Sequence, residues 1–315
     1  MIARKLLVLT ALSGVITLMA SLGLATTDSQ LKTEWRNLSF GGFFSTLVSE
    51  RNVSVQSAVA YGANPRQRLD IYRPEVDEKQ TPIVIFYYGG GWTGGDKATY
   101  RFVGSAFAAH GITTVIPDYR LFPEVMFPGF VDDAAQAYAW VGQHLATQDR
   151  PIIIIGHSAG AHIAALLALD TSYIENTVCG IQRPSALVGL AGPYAFDPTT
   201  WPSTRQIFAS ALSTADKARP IAFAHTGAPA ALLLHGDDDD TVKIWNSRDL
   251  AKALHQTNNQ VELREFAGIG HVGLILAIAR PLRWRAPVLE TILKFIGKTA
   301  APLLPISSVT CDGRR

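Results

Sequence analysis

Cysteine is scarce: the 315 residues hold two, Cys179 and Cys311. Two thiols make no metal framework and, at this separation, no redox motif. In an exported chain they can close one disulfide, and two unpaired thiols are the equal alternative. Charge of one sign is lacking as well. Twenty-eight Lys and Arg nearly balance 26 Asp and Glu, for a net charge of +2, so nucleic acid is not an implied partner. The longest block of like charge is Asp237 to Asp240. It lacks the alternating spacing and the glycine of a calcium loop. No other His, Glu and Asp set has metal-ligand spacing. In "GGGWTGGDKA" Gly95 is followed by Asp96, and Lys97 by Ala98 where a phosphate loop needs Ser or Thr. Neither a metal nor a nucleotide nor any other cofactor is implied. Internal repeats and low-complexity segments are also missing.

What is present is ordinary globular material, 48% apolar and 17% charged, enough for one large α/β domain or two smaller ones. The N-terminus stands apart. Arg4 and Lys5 precede an uncharged apolar stretch, Leu6 to Ala25, that ends small-x-small. This reads as an export signal, giving a periplasmic or secreted protein. The stretch is also about as long as a bilayer span, so an uncleaved inner-membrane anchor through residues 6–25 is the alternative. No cysteine follows closely to carry a lipid.

Residues 26–60 show no strong period and read as an irregular lead-in. Beyond them strands alternate with helices. Arg68–Arg73 alternates as an exposed strand does, while Pro82–Tyr88, Thr113–Pro117 and Pro151–Ile155 are continuous runs suited to strands buried on both faces. Ala186–Leu190, Ala230–Leu234 and Val261–Phe266 complete the strands. Helical patterns cover Thr99–His110, stopped by Gly111, then Asp132–Ala146, Ser158–Leu169, Trp245–His255 and Pro287–Ile296. The alternation predicts an α/β fold: a mostly parallel central sheet flanked by helices. Gly192–Gly227 lacks a clear strand and is long enough to form a small lid over the carboxyl ends of the strands, where ligands bind in such sheets. The tail from residue 299 to 315 reads as irregular surface chain.

Three pieces of chemistry lie on this frame. Gly156-His157-Ser158-Ala159-Gly160 fits Gly-x-Ser-x-Gly, with an isoleucine run before it and an Ala/Leu-rich segment after it. A nucleophilic serine needs that context, a strained strand-to-helix turn. The serine needs a base and the base an orienting acid, following the nucleophile in the order acid, then histidine. His271, in the glycine-rich stretch after the Val261–Phe266 strand, suits the base. His235 closes a strand and is expected to hydrogen-bond locally. His255 lies near a helix end and His225 in the lid segment. His157 and His162 break the required order; His157 should pack beside the sheet. The acid belongs among Asp237–Asp240, and position alone does not choose one. The triple-glycine turn in Tyr87-Tyr88-Gly89-Gly90-Gly91-Trp92 follows a buried strand and offers backbone N–H groups. With the N–H of Ala159 it would hold an oxyanion.

The stretches "YYGGGWTGGDK", "PDYRLFPEVMFPGFVDDAAQAYAWV", "GHSAGAHIAAL", "GLAGPYAFDP", "LLLHGDDDDTV" and "GIGHVGL" resemble the α/β-hydrolase superfamily. More narrowly they resemble bacterial carboxylesterases of the hormone-sensitive-lipase and arylformamidase-like type. The resemblance runs from about Tyr61 to Ile296, within a domain expected over residues 61–298. It implies an α/β-hydrolase fold and a serine hydrolase of small carboxylic esters without a cofactor. The family's His-Gly-x-x-Asp-x-x-Val pattern places the acid on Asp239. The same mapping implies Ser158 as nucleophile, His271 as base, and Gly90, Gly91 and Ala159 as oxyanion donors. It also implies that Asp118 and Arg120 are structural and paired near the sheet end. Tyr88 stands where the family has a loop-bracing histidine, and Lys243 where it often has proline. "GHSAGAH" is closer to formamidase-like and methylesterase-like relatives than to the lipase-like "GDSAGG". Amide or formamide hydrolysis with the same triad is therefore the second reading. The third is a catalytically idle, membrane-tethered hydrolase fold serving as an interaction module.

Overall fold

The computed structural model describes residues 53–78, 80–146, 150–177 and 180–299. The apolar stretch at 6–25, both cysteines and the tail beyond Thr299 lie outside the described residues. Eight strands form one sheet: β1 (Val53–Ala60), β2 (Arg68–Pro74), β3 (Ile83–Tyr87), β4 (Thr114–Pro117), β5 (Ile152–His157), β6 (Ala186–Leu190), β7 (Ala230–Gly236) and β8 (Val261–Phe266). Their spatial order is β1-β2-β4-β3-β5-β6-β7-β8. Pairings from β4 through β8 are parallel, and β2 runs antiparallel to both its neighbours. The helices are α1 (Arg101–Ala108), α2 (Gly129–His144), α3 (Ala159–Leu169), α4 (Ser172–Glu175), α5 (Trp245–Gln256), α6 (His271–Leu276) and α7 (Val288–Thr299).

Every residue of β3, β4, β5 and β6 is buried. Side chains alternate between the two faces of a strand, so both faces of the central sheet are covered. This is why these strands read as unbroken runs of Ile, Val and Leu rather than as alternating patterns. After β3 the chain steps to β4 on one side, then crosses to β5 on the other and continues outward. The order therefore reverses between β3 and β5, and a crevice opens at their carboxyl ends. The register brings those ends level: Tyr87 pairs with Gly156, and Gly156 with Gly189.

The structure corrects several readings of the sequence. Residues 53–60 are not lead-in but an edge strand. The strand is bulged between Gln56 and Val59, and Ala58 has φ 57°, which breaks the two-residue period. β2 is not an exposed strand either. Leu69, Asp70, Ile71 and Tyr72 are all buried: β1 pairs along the outer edge of β2, and Tyr72 packs against Gly104 of α1. The polar member, Asp70, accepts the N–H of Ala58 in the bulge at 2.8 Å and lies 3.4 Å from the Lys97 ammonium. The helix expected over 99–110 ends at Ala108, and Gly111 lies beyond it at φ 82°.

Asp118 and Arg120 do not pair with each other. Asp118 accepts from the Tyr88 hydroxyl and the Lys97 N–H, both at 2.7 Å. Arg120 instead grips Asp133 of α2, with Nε at 2.8 Å and Nη2 at 2.6 Å. Asp133 also accepts the N–H of Arg120 and the amide of Gln67, each at 2.8 Å, and is fully buried. Removing this carboxylate would leave the buried Gln67 amide and the partly exposed Arg120 guanidinium without their shared partner. Asp133→Ala should therefore lower the unfolding free energy by about 3 kcal/mol or more, measured by urea denaturation at neutral pH. A loss under about 1 kcal/mol would show that the pairing is dispensable.

Candidate active site

Ser158 is the seam between β5 and α3. Its backbone sits at φ 55°, ψ −122°, a conformation that costs an L-residue on the order of 1–3 kcal/mol. Its N–H donates to Leu190 O of β6 at 2.9 Å, and its own carbonyl accepts from the N–H groups of Ala161 and His162. The flanking glycines are sterically required. A Cβ on Gly156 would fall 2.2 Å from Gly160 O, and one on Gly160 would fall 2.0 Å from Tyr87 O. All residues of α3 are buried, so apolar packing holds the turn in place.

The structure brings Ser158, Asp239 and His271 together from three strand ends. His271 Nε2 is 2.8 Å from Ser158 Oγ, and His271 Nδ1 is 2.8 Å from Asp239 Oδ2. His271 is not in an open loop; it is the first residue of the six-residue helix α6. Of the four aspartates, Asp239 alone meets the imidazole, because its side chain turns inward and is fully buried. Asp240 faces solvent and pairs with Lys243, and Asp237 caps the N–H of Gly268. The other oxygen of Asp239 accepts the N–H groups of Thr241 and Val242, both at 2.9 Å. Burial works to raise the Asp239 pKa, but hydrogen bonds from His235 and His271 outweigh it and hold the group well below the usual carboxylate range.

His235 is the residue whose part in this site the sequence does not disclose. It bonds locally, as expected, with Nε2–H donating to Val242 O at 2.8 Å and Nδ1 2.7 Å from Ser247 Oγ. The same Nε2 also lies 3.3 Å from Asp239 Oδ2, so it braces the acid from behind. Its position four residues before the aspartate was the available signal. His157 does pack at the sheet, fully buried beside His271.

The glycine turn after β3 lies against the same seam. Gly90 has φ 145° and Gly91 φ 61°. Among the described residues the N–H groups of Gly90, Gly91 and Ala159 have no acceptor, leaving them available to an oxyanion. Ala159 is also the first residue of α3, where the helix dipole favours negative charge. Tyr88 takes over the bracing expected of a histidine. Its hydroxyl donates to Asp118 Oδ1 at 2.7 Å and accepts from Arg66 Nη2 at 3.1 Å, and Arg66 also donates to Gly95 O. Tyr119 donates to Tyr88 O at 2.7 Å. Next along, Trp92 packs edge-on against Phe208 and His162. Phe208 belongs to the 192–227 segment, which contains three short 3₁₀ turns and no strand. That segment packs beside the glycine turn: Phe208 also stacks on Phe127, and Ala218 O accepts from His162 Nε2–H at 2.8 Å. Among the described residues no cluster of three or more His, Cys, Asp or Glu can hold a metal ion.

Two predictions follow from these partners. Tyr88→Phe frees Asp118 and Arg66 and loosens the glycine turn, so kcat for an ester substrate should fall about 10- to 100-fold with the fold intact. Steady-state kinetics and circular dichroism check this. Burial pushes the pKa of His162 down to about 4 and that of His157 to about 3. The native state therefore keeps both neutral, while the unfolded chain binds protons below about pH 6.5. Their contribution to stability is complete above that pH and is lost as the pH falls toward 4. The melting temperature should drop on acidification over this range. His162→Gln keeps a donor for Ala218 O without the titration and should flatten the dependence; an unchanged slope would contradict it.

The chain is similar to a family model, to curated proteins and to solved structures. The BD-FAE family model matches residues 69–254, a span that includes Ser158 and Asp239 and stops before His271. Esterase LipC of Mycobacterium tuberculosis is 31% identical over 236 residues, 68% of this chain and 58% of that protein. A protein of Oryza sativa subsp. japonica named probable isoprenylcysteine alpha-carbonyl methylesterase ICME is 30% identical over 267 residues, 77% of this chain and 64% of its own length. The chain thus spans about six tenths of these curated relatives. Among solved structures, esterase B from Lactobacillus rhamnosis superposes with TM-score 0.70 at 19% identity, covering 86% of this chain and 94% of that one. Esterase Est2 of Thermogutta terrifontis gives TM-score 0.65 at 24% identity, covering 79% and 94%. These two likenesses concern the fold. With eight strands in a mostly parallel sheet and the family match across its centre, the chain belongs to the BD-FAE family of the α/β-hydrolase superfamily.

Proposed function

We propose that the protein hydrolyses carboxylic esters through a Ser158–His271–Asp239 triad and an acyl-enzyme. The observation that carries this reading is His271 bridging Ser158 and Asp239 with hydrogen bonds of 2.8 Å on each side. Esterase and methylesterase names among the relatives support it.

Ser158 Oγ attacks the ester carbonyl carbon as His271 Nε2 takes its proton. Asp239, accepting from Nδ1–H, fixes the tautomer and stabilises the imidazolium that forms. The negative charge moves onto the carbonyl oxygen, where the N–H groups of Gly90, Gly91 and Ala159 receive it. Each such donor is worth roughly a hundredfold or more in rate. The tetrahedral intermediate collapses, the carbon–oxygen bond to the alcohol breaks, and His271 gives its proton to the departing alcohol. Water then enters and adds to the acyl carbon as His271 takes its proton; His271 returns that proton to Ser158 Oγ as the acyl–oxygen bond breaks, releasing the acid and restoring the free serine. Export or anchoring through residues 6–25 completes the reading, and the mature N-terminus of the protein in its own cell tests it.

Ser158→Ala should lower turnover of p-nitrophenyl acetate by roughly 10⁴-fold or more; turnover within tenfold of wild type would remove the assignment. A series of p-nitrophenyl esters of rising chain length, a prenylated cysteine methyl ester and N-formylkynurenine defines the substrate. Faster cleavage of the formamide than of every ester would replace the ester reading with an amide one.

A further inference from the structure

His157 is not used by the chemistry above, yet its placement is hard to explain by packing. It ends β5 directly before the nucleophile and is wholly buried. Its Nε2 lies 3.2 Å from the main-chain carbonyl oxygen of His271, and the two rings are 4.9 Å apart between centroids. A carbonyl only accepts, so Nε2 carries the proton. Nδ1 is buried without any partner. It faces the glycine turn, where a Cβ on Gly89 would fall 3.0 Å from Nδ1 and 2.9 Å from Ser158 Cβ. A buried imidazole with half its polar atoms unmatched is unfavourable beside an apolar side chain of similar shape.

The tethers of the base explain what the residue does. His271 follows Gly268 and Gly270 and precedes Gly273; Ile269, Leu274 and Ile275 on either side are anchored in the core, while His271 itself is only partly buried. Toward the acid, this stretch is fastened by three bonds: Gly268 N–H to Asp237 Oδ1 at 2.7 Å, Asp238 N–H to Ile269 O at 3.3 Å, and His271 Nδ1–H to Asp239 Oδ2 at 2.8 Å. Toward the nucleophile, the described residues show two hydrogen bonds. One is the Ser158–His271 bond that must break during the reaction; the other is the His157 bond.

We propose that His157 is a positioning residue, whose Nε2–H, donated to the His271 carbonyl, ties the strand carrying the nucleophile to the start of α6, which carries the base. The inference rests on the reading of Ser158 and His271 as nucleophile and base. The tie persists when Ser158 Oγ leaves His271 to bond with the acyl carbon, so the imidazole stays placed to protonate the leaving alcohol and then to activate water. Burial, with the nearby His271, keeps the His157 imidazole neutral. It therefore sets no positive charge beside the imidazolium formed at His271.

The test compares wild type, His157→Met and His157→Gln in the full chain, with folding checked by circular dichroism. Two rates are read: kcat for p-nitrophenyl acetate, and the second-order labelling of Ser158 by a fluorophosphonate probe, which needs no substrate pocket. His157→Met should lower both about thirtyfold with KM within about twofold, and His157→Gln, whose amide reaches the same carbonyl, should recover at least about tenfold of that loss. Labelling of His157→Met at the wild-type rate, equal loss in both variants, or a loss confined to KM would overturn the proposal. If His157→Met fails to fold, the ¹⁵N spectrum of histidine-labelled wild type decides. A neutral Nε2–H tautomer at His157 supports the tie, and an Nδ1–H tautomer overturns it. Failure of the triad reading itself shows separately, as wild-type protein that the probe does not label at Ser158.

Discussion

The backbone of Ser158 is held at positive φ on a turn through which no side chain fits on either side. Gly156 and Gly160 allow three segments, the end of β3, the end of β5 and the start of α3, to meet within contact distance. That meeting aims the hydroxyl outward and sets the N–H of Ala159 next to it. The strain at this single residue is offset by burial around it: β5 and α3 are buried along their whole lengths, and each large apolar side chain so buried contributes on the order of 1.5–3 kcal/mol. A local conformation that would not persist in a peptide is thereby over-determined by the core.

Around that turn the charges are arranged in layers. Asp239 stays ionised inside the protein because two histidines and two backbone N–H groups point at it. His271 then stands between a buried carboxylate and a half-buried hydroxyl, an order in which a proton gained from Ser158 is stabilised by the charge behind it. The glycine turn has its own support, an array of Arg66, Tyr88, Asp118 and Lys97. The Tyr88 hydroxyl is the hub of this support. Asp118 offers an acceptor and Arg66 a donor at the one position where the hydroxyl lies.

Much of this was legible in the sequence. The buried strands announced themselves as continuous β-branched runs, and the Gly-x-Ser-x-Gly turn was readable because its strand and helix flanked it. Choosing Asp239 among four aspartates was not a matter of pattern. It depends on which side chain turns toward the interior, and resemblance supplied what periodicity did not. β1 escaped because a bulge broke its alternation, and the burial of β2 escaped because it depends on β1 beside it and on α1 packed against Tyr72. The pairing of Arg120 with Asp133 rather than Asp118 is a long-range choice made by how α2 docks on the sheet. The backing of Asp239 by His235 likewise arises from side-chain direction at a strand end, which no spacing rule records.

The central claim is that Ser158 carries the acyl group between the two half-reactions. Rapid quench of the protein in acid during turnover of a p-nitrophenyl ester, followed by intact-mass and peptide mass spectrometry, observes that intermediate directly. The account predicts one acyl group per chain, located on the peptide containing Ser158. Turnover with no acylated protein, or with the acyl group on another residue, would contradict it.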